Sequence, residues 1–398
     1  MSPRRLRTIE YLGDLVGKTV LVRSDLNVPL EDGRITDDLR IRASIPTLRE
    51  LLDKGATVII CSHLGRPKGK PVDSLRLDPV GEALGGALGQ KVDKLDEVVG
   101  PDVQKAVMAA GAGSVTLLEN LRFDPGEEAN DPGFSDKLAA LADTYVDDAF
   151  GAAHRAHASV VGVAERLPSA AGRLMQREVE VLSKLVEGAE EPYVAILGGA
   201  KVSDKLATVN SLVERVDALL IGGAMAFSFI AAAGGEVGTS MVQRERVDEI
   251  RRAMAKAEER GVLIQLPEDV VAAPEPTVEA KRETVRAAEI PRGLMGLDIG
   301  PRTVEEFART IADAKTIFWN GPMGMFELEP FSAGTRGVAT AVAGASAFTV
   351  VGGGDSLAAL KKFGLHEAID HLSTGGGASL EFLEGRELPG IAVLMQEA

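Results

Sequence analysis

Short runs of apolar, often β-branched residues recur along the chain, each closed by Gly, Pro or polar residues and followed by helical periodicity. In the first half they cover residues 19–28, 57–64, 115–123 and 144–150; in the second, 194–199, 218–223, 263–266, 316–319 and 348–352. Continuous apolar runs of about 4–8 residues belong to strands buried on both faces, as in parallel sheets. Residues 135–143 and 247–259 carry the helical spacing between such runs. Strand alternating with helix predicts an α/β protein with doubly wound parallel sheets, and this many strands predicts two sheets rather than one. Residues 174–186 form a strongly amphipathic stretch with no strand run beside it, followed by the acidic EGAEEP that ends at Pro192. This predicts a connecting helix over 172–187, between a domain at 1–171 and another at 188–379.

Composition narrows the class. Forty-four Gly and only 4% aromatic residues suit tight strand-to-helix turns better than an all-β sandwich. Lys and Arg number 44 against 59 acids, a net charge of −15, which excludes a nucleic-acid-wrapping surface. Cys61 stands alone, so no internal disulfide and no Cys-rich metal site can form, as expected of a reducing compartment. The charged N-terminus resembles no secretory leader. Residues 218–235 and 337–354 lack charges but carry Gly pairs or triplets, which read as buried strands entering turns rather than membrane spans. A soluble, cytoplasmic protein is expected.

Parallel sheets bind ligands at the carboxyl ends of their strands. In the first half those ends carry Asp25 and Asn27, then His63 and Arg66, then Arg122, then Arg155, with Arg40 in the helical stretch after the first strand. One basic residue beyond each strand of an acidic protein is more than solubility requires. Such a cluster predicts a multiply charged anion as ligand, and guanidinium forks suit a phosphorylated acid. His154 and His157 read as structural. In the second half the ends are glycine loops: Gly198-Gly199 before Lys201 and Lys205, Gly222-Gly223, Gly352-Gly353-Gly354 before Asp355 and Ser356, and Gly375-Gly376-Gly377 after Thr374. Glycine lets backbone N–H groups approach phosphates at helix starts. Asp355 is either a helix cap or a magnesium ligand beside a nucleotide. No GxxxxGK[ST], no GxGxxG in the first strand–helix unit, no HRD or DFG and no GxSxG is present, which excludes several nucleotide-binding and hydrolase classes. A two-domain protein that binds a phosphorylated acid without chemistry would leave the lysines and second-half loops unused. A small-acid dehydrogenase would lack its nucleotide fingerprint.

The segments RSDLNVP, SHLGRP, ENLRF, DAFGAAHRAH, LGGAKVSDK, WNGPMGMFE, GGGDS and STGGGAS resemble, in order and spacing, those of the phosphoglycerate kinase family over essentially the whole chain. The resemblance implies two Rossmann-like domains facing a central cleft and reversible phosphoryl transfer between ATP and 3-phosphoglycerate, giving ADP and 1,3-bisphosphoglycerate. It implies that Asp25, Asn27, Arg40, His63, Arg66, Arg122 and Arg155 bind the acid. It assigns Lys201, Lys205, Gly296, Glu327, Gly353, Gly354, Asp355 and Ser356 to the nucleotide, with Asp355 on Mg2+. Arg40, Lys205 and Gly376 become the expected catalytic positions, acting by domain closure and charge without a general base. The tail 380–398 is expected to pack back on the first domain, and the protein to be a monomer.

Overall fold

In the computed structural model, which describes residues 4–397, the first half contains β1 (Thr19–Ser24), β2 (Thr57–Cys61), β3 (Val92–Lys94), β4 (Val115–Leu117), β5 (Thr144–Asp148) and β6 (Ser169–Ala171), of which β1, β2, β4 and β5 fall on the four predicted runs. They pair in parallel in the order β3-β4-β2-β1-β5-β6. Every residue of β2, β4 and β5 is buried, so neither face of these strands meets water, and β5 buries even its two closing aspartates, Asp147 and Asp148. Helix α1 (Leu39–Asp53) turns Ile41, Leu48 and Leu51 into the core on one face of this sheet.

The strands end earlier than the apolar runs do. β1 stops at Ser24 because Leu26 N–H turns to the Ser62 hydroxyl (3.0 Å) and Val28 N–H folds back to Leu26 O (2.8 Å). The buried residues beyond the strand are therefore loop, and that loop carries Asp25 and Asn27. β3 and β6 have no apolar run of their own: β3 is a half-exposed edge, and β6 is Ser-Ala-Ala.

Helix α2 (Arg173–Glu187) follows. Contacts divide the chain into a first unit, 1–180 with 387–398, and a second, 181–386, so the division falls inside α2. The returning tail begins at Glu387 rather than at 380. Residues before it stay with the second unit, where Leu383 O and the Glu384 carboxylate accept hydrogen bonds from Ser211 (2.7 Å) and Thr208 (2.8 Å). Beyond it, Gly390 N–H bonds Ala153 O at 2.9 Å, and Arg4–Leu6 pairs antiparallel with Met395–Glu397.

The second unit contains β7 (Tyr193–Leu197), β8 (Ala218–Ile221), β9 (Leu263–Gln265), β10 (Asp269–Ala273), β11 (Glu283–Arg286), β12 (Met295–Ile299), β13 (Thr316–Asn320), β14 (Phe348–Gly352) and β15 (His371–Ser373). Six form a parallel sheet, β9-β8-β7-β13-β14-β15; β10 sits between β11 and β12 in a separate antiparallel sheet. The antiparallel sheet is absent from the apolar pattern because β11, ETVR, is largely exposed. Its reward is local: β10 and β12 wall the pocket described below. Among the described residues no helix is long and apolar enough to cross a membrane.

Candidate functional site

Two centres emerge, one in each unit. In the first, the loops after β1, β2, β4 and β5 and the start of α1 bring basic groups around His63. Arg40 donates to the Asp25 carboxylate (3.1 Å) and to Asn27 O (3.0 Å). Asn27 in turn accepts from Gly65 N–H at 2.9 Å and ties the first loop to the second. Arg122 is buried; it donates to Gly65 O at 2.7 Å, and its Nε faces Glu128 at 3.3 Å without an aligned hydrogen bond. Arg155 donates to His154 (3.1 Å). Arg66 is exposed and pairs with no described carboxylate.

Sequence reasoning passed over Arg23. It occupies the fifth position of β1, only 1% exposed, and donates to the Ser159 hydroxyl (2.9 Å), to Ser24 O and to His63 Nδ1 (2.9 Å). Ser159 passes the contact on to fully buried Glu127 at 2.6 Å. An arginine inside an apolar strand was the available signal, since a strand buried on both faces leaves it no route to water. Burial foremost, then the fields of Arg23, Arg122, Arg40 and Arg155, push His63 well below its ordinary range. Burial, then Arg122, Arg155 and Arg23, bring His157 down to about 4. Desolvation and Arg155 likewise lower Arg122. Cations this close depress one another; Asp25 faces Arg40, Glu128 faces Arg122, and buried Glu127 and Asp147 act on Arg23. So many guanidinium groups around one loop cluster suit an anion of several charges.

In the second unit, α3 (Leu206–Leu212) begins just after Lys205, whose half-buried ammonium donates to Gly198 O (2.6 Å) and Asn320 O (2.8 Å). Desolvation lowers it to about 8, against the opposing pull of Asp355 and then Asp204. Gly321 lies against this lysine with φ +98; a Cβ there would stand 2.3 Å from Gly198 O and 2.5 Å from Lys205 Nζ. Next to them opens a pocket of about 450 Å3. Phe227 from α4 (Met225–Ala232), Val270 from β10, Leu297 from β12 and Met323 give it apolar walls, while Gly296, Glu327 and Asp355 also line it. Gly296 has no room for a side chain, because a Cβ would come within 2.1 Å of the Phe227 ring. The size and apolar character suit a flat heterocycle, with polar groups at one end.

The remaining predicted positions lie outside that lining. Lys201 is exposed and bonds no described residue. Gly353 and Gly354 open α5 (Gly354–Phe363), with Asp355 exposed in its first turn. Ser356 turns inward instead: fully buried, its hydroxyl accepts Gly321 N–H at 2.6 Å. Gly376, at φ +55, precedes α6 (Gly377–Leu383), and the Ser373 and Ser379 hydroxyls bond across the turn at 2.7 Å. Among the described residues no three His, Cys, Asp or Glu side chains cluster as a metal site. Cys61 is buried in β2 and its thiol is pushed up to about 12, so it is not a nucleophile.

The sequence profile described as phosphoglycerate kinase matches residues 9–386. The phosphoglycerate kinase of Thermomicrobium roseum is 55% identical over 393 residues, 99% of this chain and 100% of that one. That of Rubrobacter xylanophilus is 56% identical over 394 residues, 99% and 98% of the two chains. Among solved structures, phosphoglycerate kinase from Coxiella burnetii superposes with a TM-score of 0.87 at 41% identity, covering 98% of this chain and 99% of that one.

Proposed function

The chain belongs to the phosphoglycerate kinase family and catalyses its reaction, phosphoryl transfer between ATP and the carboxylate of 3-phosphoglycerate; on that premise we propose how its residues share the work. The single observation that carries the assignment is the cluster of arginines gathered around buried His63. Arg40, Arg66, Arg122 and Arg155 take the phosphate and carboxylate of the acid, and His63 donates one neutral hydrogen bond. Asp25 aims Arg40, and Asn27 fixes the loops that carry them.

The apolar pocket beside Phe227 takes the adenine, with Glu327 near the ribose. Lys205, Lys201 and the N–H groups at Gly353 and Gly354 receive the phosphates. Ser356 acts from behind by holding Gly321 in place. One exposed carboxylate, Asp355, fits Mg2+, which binds through one or two carboxylates with substrate phosphates and water completing its shell. When bound, that ion neutralises phosphate oxygens as a Lewis acid.

Transfer needs no base. The acceptor is a carboxylate, ionised at neutral pH, and both His63 and His157 are held too low to exchange protons there. What remains is alignment and neutralisation of the moving phosphoryl group, which falls to Arg40, Lys205 and the N–H groups around Gly376. Because the acid and nucleotide ligands come from different units, the reaction requires a closed state in which they meet, and that state also excludes water. The reading as a cytoplasmic monomer rests on the family and on the lone buried cysteine.

The test mixes the protein with magnesium-ATP, 3-phosphoglycerate and hydroxylamine. Acid-dependent ADP release with a trapped hydroxamate is the expected result. Binding of both ligands without hydroxamate would leave only a binding protein.

A further inference from the structure

We propose that Arg23 is a positioning residue that fixes the tautomer of His63: by donating to Nδ1 from inside the sheet, it leaves His63 a neutral Nε2–H donor facing the acid. The inference rests on the reading of this cluster as the acid site. Its geometry is one-sided. A guanidinium has five N–H donors and no acceptor, so the 2.9 Å contact between Arg23 Nη2 and His63 Nδ1 requires the lone pair of the ring to lie on Nδ1. The proton of a neutral imidazole then has only Nε2 to occupy. That nitrogen makes no hydrogen bond to any described residue, and the ring retains 6% exposure.

Arg23 cannot swing away from this task. Its Nε is held by Ser159 and its Nη1 by Ser24 O, and the Ser159 hydroxyl is anchored on Glu127. The charged groups acting on His63 come from every side: Arg23 on β1, Arg40 on α1, and Arg122 and Arg155 on the loops after β4 and β5. Asp25 is already engaged by Arg40, and Glu127 by Ser159. No described carboxylate reaches the ring to stabilise an imidazolium. A second cation here would only repeat what four arginines do, whereas a fixed neutral donor gives direction without repulsion.

The experiment is 15N spectroscopy of the intact, histidine-labelled protein, with His63→Gln used to assign the resonance. The proposal expects one neutral Nε2–H tautomer of His63 throughout about pH 5.5–8, with the Nε2–H signal shifting when 3-phosphoglycerate is added. A titration near the ordinary value, or an Nδ1–H tautomer, overturns the proposal even if the acid still moves the signal. No response to the acid at all instead counts against the acid site itself. Arg23→Met adds a kinetic arm. KM for the acid should rise about tenfold with little change in kcat, as for one lost charged hydrogen bond. Should that variant not fold, the spectrum of the parent protein alone decides.

Discussion

The ammonium of Lys205 donates to the carbonyl oxygen of Asn320 at 2.8 Å, and no described carboxylate lies within ion-pair distance of it. Two carbonyl oxygens hold the lysine in place but do not neutralise it. Burial therefore brings it down to about 8, leaving a cation that favours a phosphate partner.

With Lys205 receiving the nucleotide phosphates, as proposed, nucleotide binding becomes a protonation event. A polyphosphate beside Lys205 stabilises the ammonium and raises its pKa, so ADP binding at pH 8 should take up protons. Calorimetry in buffers of different ionisation enthalpy reads the uptake directly. Lys205→Ala should abolish it, and equal heats in all buffers for the parent protein would contradict the assignment.

Gly321→Ala should disturb the nucleotide unit through its backbone. The residue needs φ +98, and the added Cβ would press on Gly198 O and Lys205 Nζ. Strain of this kind costs about 1–3 kcal/mol before any clash is counted. A lowered melting temperature together with weakened ADP binding is expected, and a variant indistinguishable from the parent would show that the turn is less constrained.

Arg40 should govern turnover and not nucleotide affinity. Removing a donor aimed at developing charge typically costs about 10²–10³ in kcat. Arg40→Ala should lose at least that much while binding ADP as before, since Arg40 belongs to the first unit and the pocket proposed for the nucleotide to the second. Loss of ADP binding would contradict the division of roles.

The start of α2 provides a pH prediction. Buried Asp148 accepts Leu174 N–H (2.9 Å) and Met175 N–H (3.2 Å), and burial pushes its carboxyl up to about 7. The folded state favours the protonated form, so its stabilising contribution is complete below the unfolded value and is lost as pH rises through about 7. Asp148→Asn imitates the neutral form. In thermal melts the variant should gain on the parent between pH 5 and pH 8; a constant difference would show that Asp148 does not titrate in that range.

Much of this was legible in the sequence, for a physical reason. Strands buried on both faces tend to be continuous apolar runs, so β2, β4, β7 and β14 announce themselves, and residues placed beyond them, such as Arg66, Arg122 and Lys205, inherit a position at the carboxyl end of the sheet. The antiparallel sheet was not legible, because ETVR at β11 is largely exposed and has no apolar pattern to show. Arg23 and Glu127 were missed because each is satisfied by a partner distant in sequence. Pattern reading sees only that a charge stands in an apolar context, not the hydroxyl of Ser159 that joins the two. Ser356 was assigned from its loop, yet its hydroxyl points inward to Gly321, a direction set by packing and not by spacing.

The central claim is that the acid and the nucleotide are held by separate sets of residues in separate units. Calorimetric titration of Arg122→Ala and Lys205→Ala, each with 3-phosphoglycerate and with ADP, tests it most directly. The account predicts a crossed result: Arg122→Ala loses the acid and keeps ADP, and Lys205→Ala keeps the acid while its ADP affinity falls. Either variant losing the opposite ligand would contradict it.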